Sequence, residues 1–213
     1  LVMSFLKSKA GGALKDENIK VLTDDNATKA NIIRHLHEAV QQLGSNDQLL
    51  FYFSGHGFHD ALAPIDIKGT NNKLFHKEII NLINGNIASQ RLCIVDACFV
   101  SDKAGKAEKN SLDKVQSEEY YRPFKQEENT AYIFSAALRE ASIENRGLRQ
   151  GVFSHFLLKG LKGEANANKD ETITIEEIST FVKEKVRSYT NNYQNPTIIN
   201  TEGNSTAVAV FKE

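Results

Sequence analysis

Residues 48–53 and 91–95 are two dense apolar runs of strand length, and they restrict the fold of this chain more than any other feature. Apolar side chains do not alternate with polar ones in either run. Both faces of each strand must therefore be covered, which is the condition inside a parallel sheet packed between helices. The flanking segments supply those helices. In residues 29–43 the apolar positions Ile32, Ile33, Leu36, Ala39, Val40 and Leu43 recur at helical spacing behind the capping stretch Asp24-Asp-Asn-Ala-Thr28, and Gly44 closes the segment. Residues 74–82 read as a helix between the two strands, 151–162 as an apolar helix opening at Gly151, and 175–187 as a helix capped near Thr174. Residues 18–23 are a short β-branched stretch, and 130–136 and 207–211 are further strands. The alternation predicts an α/β fold with a mostly parallel central sheet and helices on both faces.

In open α/β sheets ligands sit outside the carboxyl ends of the strands. Two groups of reactive residues fall at such ends: Ser54-Gly-His56-Gly57 after the first run and Asp96-Ala-Cys98 after the second. A thiol near neutral pH is only a few per cent thiolate, so a cysteine nucleophile needs a neighbour that takes its proton, and His56 is placed to do so for Cys98. The glycines around His56 allow close backbone approach, and the amides of Gly57 and Cys98 are candidate donors to an oxyanion. Together these residues outline an acyl-transfer site. Taken singly, each has a blander reading, a packed cysteine after a strand and a Gly-His-Gly turn. Their joint placement and order favour the catalytic one. Cys93, inside the strand pattern, is assigned to packing. His59, His76 and His155 read as surface or helix residues, and their spacing makes no metal cluster.

Composition narrows the alternatives. The 213 residues, 40% hydrophobic and 25% charged, suit one domain with a proper core. A net charge of −1, with 26 scattered Lys and Arg, offers no electrostatic footprint for nucleic acid. No apolar run approaches the roughly 20 residues that cross a bilayer, so no membrane partner is expected. Two cysteines so close in sequence make a poor disulfide framework, and a reducing, cytoplasmic setting fits them better. The opening Leu1-Val-Met-Ser-Phe-Leu-Lys7 has no initiator methionine and reads as the last turns of a helix, so an upstream segment is expected.

The two motifs, in this order, resemble those of the caspase-like cysteine peptidases, in particular the bacterial metacaspase-like branch. Similarity extends through residues 18–23, Ala63-Pro-Ile-Asp66, Phe134-Ser-Ala-Ala137 and Gly151-Val-Phe-Ser-His-Phe-Leu-Leu158. The resemblance implies a caspase-like three-layer α/β/α sandwich in one peptidase domain. Its large portion would span about 1–100, a flexible loop about 101–130 and the small portion about 131–213, with the family's usual first strand lacking. It further implies that His56 is the catalytic histidine, Cys98 the nucleophile, and Gly57 with Cys98 the backbone oxyanion donors. Asp96 matches the acidic pocket position that accepts Arg or Lys on the acyl side of the scissile bond, where a carboxylate gives guanidinium a bidentate partner. The plainer role for Asp96 is capping the following turn. After the cysteine the family often has His-Ser-Gly, whereas this chain has Phe99-Val-Ser, which changes the wall beside the nucleophile.

Residues 101–130 lose hydrophobic periodicity and read as a long surface loop. By the resemblance this segment separates the two portions and is often cut during maturation. Lys103, Lys106, Lys109, Lys114 and Arg122 are its candidate self-cleavage points, and a solvated charged loop is the alternative. No cofactor is required. One cation site is nevertheless sketched by Asn166, Asn168, Asp170, Thr172, Thr174 and Glu177, which fit a Ca²⁺-loop template with Glu171 at the position that demands Gly; helix capping is the competing role. The partners expected are a protein or peptide substrate and an activating partner or upstream sensor domain. A catalytically idle caspase-like interaction module is the alternative function.

Overall fold

The computed structural model describes residues 1–69, 71–84, 90–98, 114–126, 129–138, 140–145, 147–148 and 150–211. Helix α1 (Val2–Leu6) precedes a 3₁₀ turn at Asp16–Asn18. The β-branched stretch that follows is extended but joins no ladder among the described residues, and Val21 is half exposed. Helix α2 (Lys29–Gln42) starts where its cap predicts, with the Thr28 hydroxyl accepting from the Asn31 N–H. Strand β1 (Gln48–Gly55) is followed by a small hairpin of β2 (Ala61–Leu62) and β3 (Leu74–Phe75), then by α3 (His76–Asn84) and β4 (Gln90–Ala97).

Helix α4 (Lys114–Tyr121) and a 3₁₀ turn (Arg122–Gln126) occupy the second half of the segment expected to be a loop. The correction has a packing cause. Phe124 is buried and meets Phe134 edge-on at 5.4 Å, and Tyr120 and Tyr121 join the same aromatic cluster, so this stretch is anchored to the core. Lys103, Lys106 and Lys109 lie outside the described residues. Lys114 begins α4, and Arg122 is exposed at the start of the turn.

Strand β5 (Thr130–Phe134) leads to the hairpin of β6 (Glu144–Asn145) and β7 (Gln150–Gly151). Helix α5 (Val152–Lys159) ends in a π turn, in which Gly163 takes φ 125°. Strand β8 (Thr172–Thr174), helix α6 (Ile175–Tyr189), β9 (Thr197–Ile199) and β10 (Ala207–Val210) complete the chain.

The central sheet runs β1-β4-β5-β9, parallel through its first three strands and antiparallel at β9. The last strand, β10, is not part of it; it pairs antiparallel with β8 in a separate two-stranded ribbon. Strand parity builds the layers. Cys93, Val95, Tyr132 and Phe134 face one core with Ile32, Leu36 and Val40 of α2 and Ile79, Ile80 and Ile83 of α3. Leu92, Ile94, Ala131 and Ile133 face a second core with Val152, Phe153 and Leu157 of α5 and Ile178 and Val182 of α6. Two-sided burial explains why β4 and β5 have no polar alternation, and it gives the three-layer α/β/α sandwich.

Candidate active site

The register of β1 against β4 brings the two motifs together. Ser54 pairs with Asp96 and Gly55 with Ala97, so His56 and Cys98 are the next residues along neighbouring parallel strands. They emerge side by side at the carboxyl edge of the sheet, His56 exposed and Cys98 partly exposed. The turn after His56 is held by a short antiparallel bridge: the Ala63 N–H donates to the His56 carbonyl and the Phe58 N–H to the Ala61 carbonyl. Gly57 sits between these bonds, so its own N–H points out of that ladder. A Cβ on Gly57 would fall 2.6 Å from the Cys98 carbonyl oxygen, a contact no side chain tolerates. Glycine is required here by the approach of the Cys98 backbone.

Ser142, which the sequence reading passed over, touches both reactive residues of the second motif. Its N–H donates to Cys98 Sγ at 3.3 Å, the thiol faces its carbonyl at 3.7 Å, and its hydroxyl donates to Asp96 Oδ1 at 2.9 Å. The other Asp96 oxygen accepts from the Ser154 hydroxyl at 2.5 Å, and the Tyr52 hydroxyl lies 2.9 Å from Ser154 Oγ. Parity accounts for this meeting. Asp96 continues the face of Leu92 and Ile94, which α5 covers, and Ser154 lies in the first turn of that helix. The carboxylate is accordingly buried, at 7% exposure. Gly151 keeps the approach open, since a Cβ there would stand 3.2 Å from Asp96 Oδ2.

Three more polar residues lock the surroundings. The Ser135 hydroxyl accepts from the Ala97 N–H and donates to the Ala97 carbonyl, fixing the backbone just before Cys98. Gln194, fully buried, donates to the Ser135 carbonyl at 2.7 Å and to Ser142 Oγ at 3.2 Å, and accepts from the Ile143 N–H at 2.9 Å. Glu140 accepts from the Asn195 backbone and side-chain amides, which pins the start of the same segment. These contacts join residues 38 to 59 positions apart, and no local motif announces them.

The two thiols differ in kind. Cys93 is buried in the α2–α3 core, and desolvation pushes its thiol up to about 12. His76, expected at the surface or on a helix, begins α3 and is buried against Tyr120, Phe124 and Phe134. Burial, helped by the nearby His59, lowers its imidazole to about 3.

At the sketched Ca²⁺ loop the oxygens are largely occupied by local bonds. Asp170 accepts from the Thr172 N–H and hydroxyl and from the Asn168 amide, and Asn168 Oδ1 accepts from the Asp170 N–H. Thr174 and Glu177 form a full capping box at the start of α6. Asn166 Oδ1 and Glu177 Oε1 are shielded from solvent without a hydrogen-bond partner.

The caspase domain profile matches residues 7–205. The chain belongs to the caspase domain family. Among curated relatives of this family member, metacaspase-1 of Eremothecium gossypii is 31% identical over 118 residues, covering 46% of this chain and 25% of that protein. A probable protease of a Desulfuromonadales bacterium is 23% identical over 216 residues, covering 85% of this chain and 26% of that protein. The chain thus spans about a quarter of the length of the curated relatives it matches. A crystal structure of protein GSU0716 from Geobacter sulfurreducens superposes with a TM-score of 0.56 at 16% identity, covering 84% of this chain and 75% of that one, which supports the caspase-like fold. No helix among the described residues is long and apolar enough to cross a membrane.

Proposed function

We propose that the chain is a cysteine endopeptidase that cleaves after Arg or Lys through the pair His56 and Cys98. In this reading Cys98, deprotonated by His56, attacks the scissile carbonyl. The oxyanion is met by the Gly57 and Cys98 amides. His56 then protonates the leaving amine, and water under His56 assistance releases the acyl-enzyme. Membership in a cysteine peptidase family supports the reaction class.

The observation that carries the specificity is the bridge made by Ser142. One residue contacts both the Cys98 thiol and the Asp96 carboxylate, so a side chain attached to the attacked carbonyl carbon's residue has an acidic group one residue's width away. A buried carboxylate at that distance suits a guanidinium or ammonium and repels an acidic side chain.

The test is a panel of fluorogenic peptides with Arg, Lys, Asp or Ala before the reporter. Turnover of the Arg and Lys members that disappears in Cys98→Ala and in His56→Ala is the expected result; turnover confined to Asp would overturn the pocket assignment. Comparing intact masses of the wild type and Cys98→Ala examines self-processing at Lys103, Lys106, Lys109, Lys114 or Arg122. Nicks in the wild type alone support it, and identical intact masses refute it. A Cys98 that a basic peptidyl chloromethylketone leaves unmodified would favour the idle interaction module.

A further inference from the structure

Asp96 is held by two hydrogen-bond relays whose directions are fixed by proton counting. The Ser154 hydroxyl has one proton, and at 2.5 Å it gives that proton to Asp96 Oδ2. The Tyr52 hydroxyl, 2.9 Å from Ser154 Oγ, must then donate to it. Burial raises the Tyr52 pKa, so its phenol keeps the proton that this role needs. On the other side Gln194 Nε2 can only donate, and it approaches Ser142 Oγ at 3.2 Å while Ser142 spends its proton on Asp96 Oδ1 at 2.9 Å. Each carboxylate oxygen thereby receives one hydroxyl, and each hydroxyl is backed by a donor behind it.

From this geometry we infer that Ser154, with Tyr52 behind it, is a positioning residue that fixes the plane of the Asp96 carboxylate and so sets a preference for Arg over Lys. The inference rests on the reading of Asp96 as the pocket carboxylate. A carboxylate offers about four acceptor positions, of which the relays fill two, one on each oxygen. One position per oxygen remains. A guanidinium presents two parallel N–H groups to such a pair, whereas an ammonium is a compact point charge that gains little from a fixed plane. Held at both oxygens, the carboxylate does not have to be ordered when an arginine arrives, and that saving is specific to the planar ligand.

Equilibrium binding separates this role from catalysis. In a Cys98→Ala protein, calorimetry with short peptides ending in Arg or Lys gives the ratio of their affinities, expected to favour Arg by about tenfold, the worth of one added charge-assisted hydrogen bond. Ser154→Ala should bring the ratio close to one by weakening Arg alone. Tyr52→Phe should shift it part of the way, and Ser154→Thr, which keeps the hydroxyl, should restore it. A purely structural role would lower affinity for both peptides together or only the melting temperature. An unchanged ratio in a folded Ser154→Ala protein, or a Ser154→Thr protein that behaves like the alanine variant, overturns the relay. Asp96→Asn tests the premise independently. Loss of both peptides there with an unchanged ratio in Ser154→Ala refutes the relay alone, whereas Arg preference that survives Asp96→Asn, or the absence of Arg binding in the parent, refutes the pocket and the relay together.

Discussion

Lowering the pH from 7 to 4.5 has to work against the fold at His76. Its ring is buried at the start of α3, with Nδ1 on the Tyr120 hydroxyl and the rings of Phe124 and Phe134 around it, and its pKa drops from an ordinary 6.5 to about 3. Between these values the unfolded chain binds a proton that the folded chain refuses. Stability therefore rises with pH in this window and is lost as pH falls below 6.5. The loss runs at about 1.4 kcal/mol per unit, so the two units down to pH 4.5 remove about 3 kcal/mol, a figure that holds for any folded value well under 4.5. Urea unfolding at pH 7 and pH 4.5 measures it. The drop in unfolding free energy should be about 3 kcal/mol larger for the wild type than for His76→Gln, whose side chain does not titrate. The two variants losing stability in parallel would refute the reasoning, because the buried neutral imidazole would then contribute nothing to the pH dependence. His59, whose charge acts on His76, and Asp60, whose charge acts on Tyr120, are retained in both proteins.

Three further outcomes are expected. Iodoacetamide at pH 8 should add one label, at Cys98, to the folded protein and two in urea, since the Cys93 thiol is buried and raised to about 12; mass spectrometry of the intact and digested chain reads both. Gly57→Ala should cut turnover of an Arg substrate by tenfold or more and lower stability by about 1–3 kcal/mol, as the new methyl meets the Cys98 carbonyl; calorimetry and steady-state kinetics report the two effects. Thr174→Ala removes the side-chain half of the capping box on α6, the hydroxyl that accepts from the Glu177 N–H, and should cost about 1 kcal/mol in chemical denaturation, with equal loss in the presence and absence of millimolar Ca²⁺ if capping is its whole role.

What the sequence made legible was local. The starts of α2 and α6 followed from Thr28 and Thr174, whose caps form as their side chains dictate. Strand β4 was readable because two-sided burial leaves an apolar run with no polar interruption, whereas β1, equally apolar in sequence, ends the sheet among the described residues and leaves Leu50 38% exposed. Residues 18–23, β-branched in composition, stay extended with no neighbouring strand among the described residues to pair with. The local reading misled at 114–126, where Tyr120, Tyr121 and Phe124 form a helical stretch anchored by rings from β5 and α3 rather than by any periodicity of its own. His56, Asp96 and Cys98 were visible because each lies at or just past the end of a strand. Ser142, Ser154 and Gln194 were not, because a serine in a loop, a serine in a helix and a glutamine after one become partners only when the sheet brings them to Asp96.

The sheet also separates two tasks that the motif Asp96-Ala-Cys98 joins in sequence. Asp96 is the last residue of β4 on the face that α5 covers, so its environment is built by α5 and β1 through Ser154 and Tyr52. Ala97 points to the opposite core, and its backbone is clamped by Ser135, so Cys98 leaves the sheet from a fixed point beside His56. In the proposed enzyme, a change in the first turn of α5 can therefore alter what the pocket accepts without moving the strand end that presents the nucleophile. Changes at Ser135 or Gly57 act on that strand end and its neighbour directly. Selectivity and reactivity are thus tunable from different elements even though their central residues are two positions apart, and Ser142, which touches both Asp96 and Cys98, is the residue through which they remain coupled.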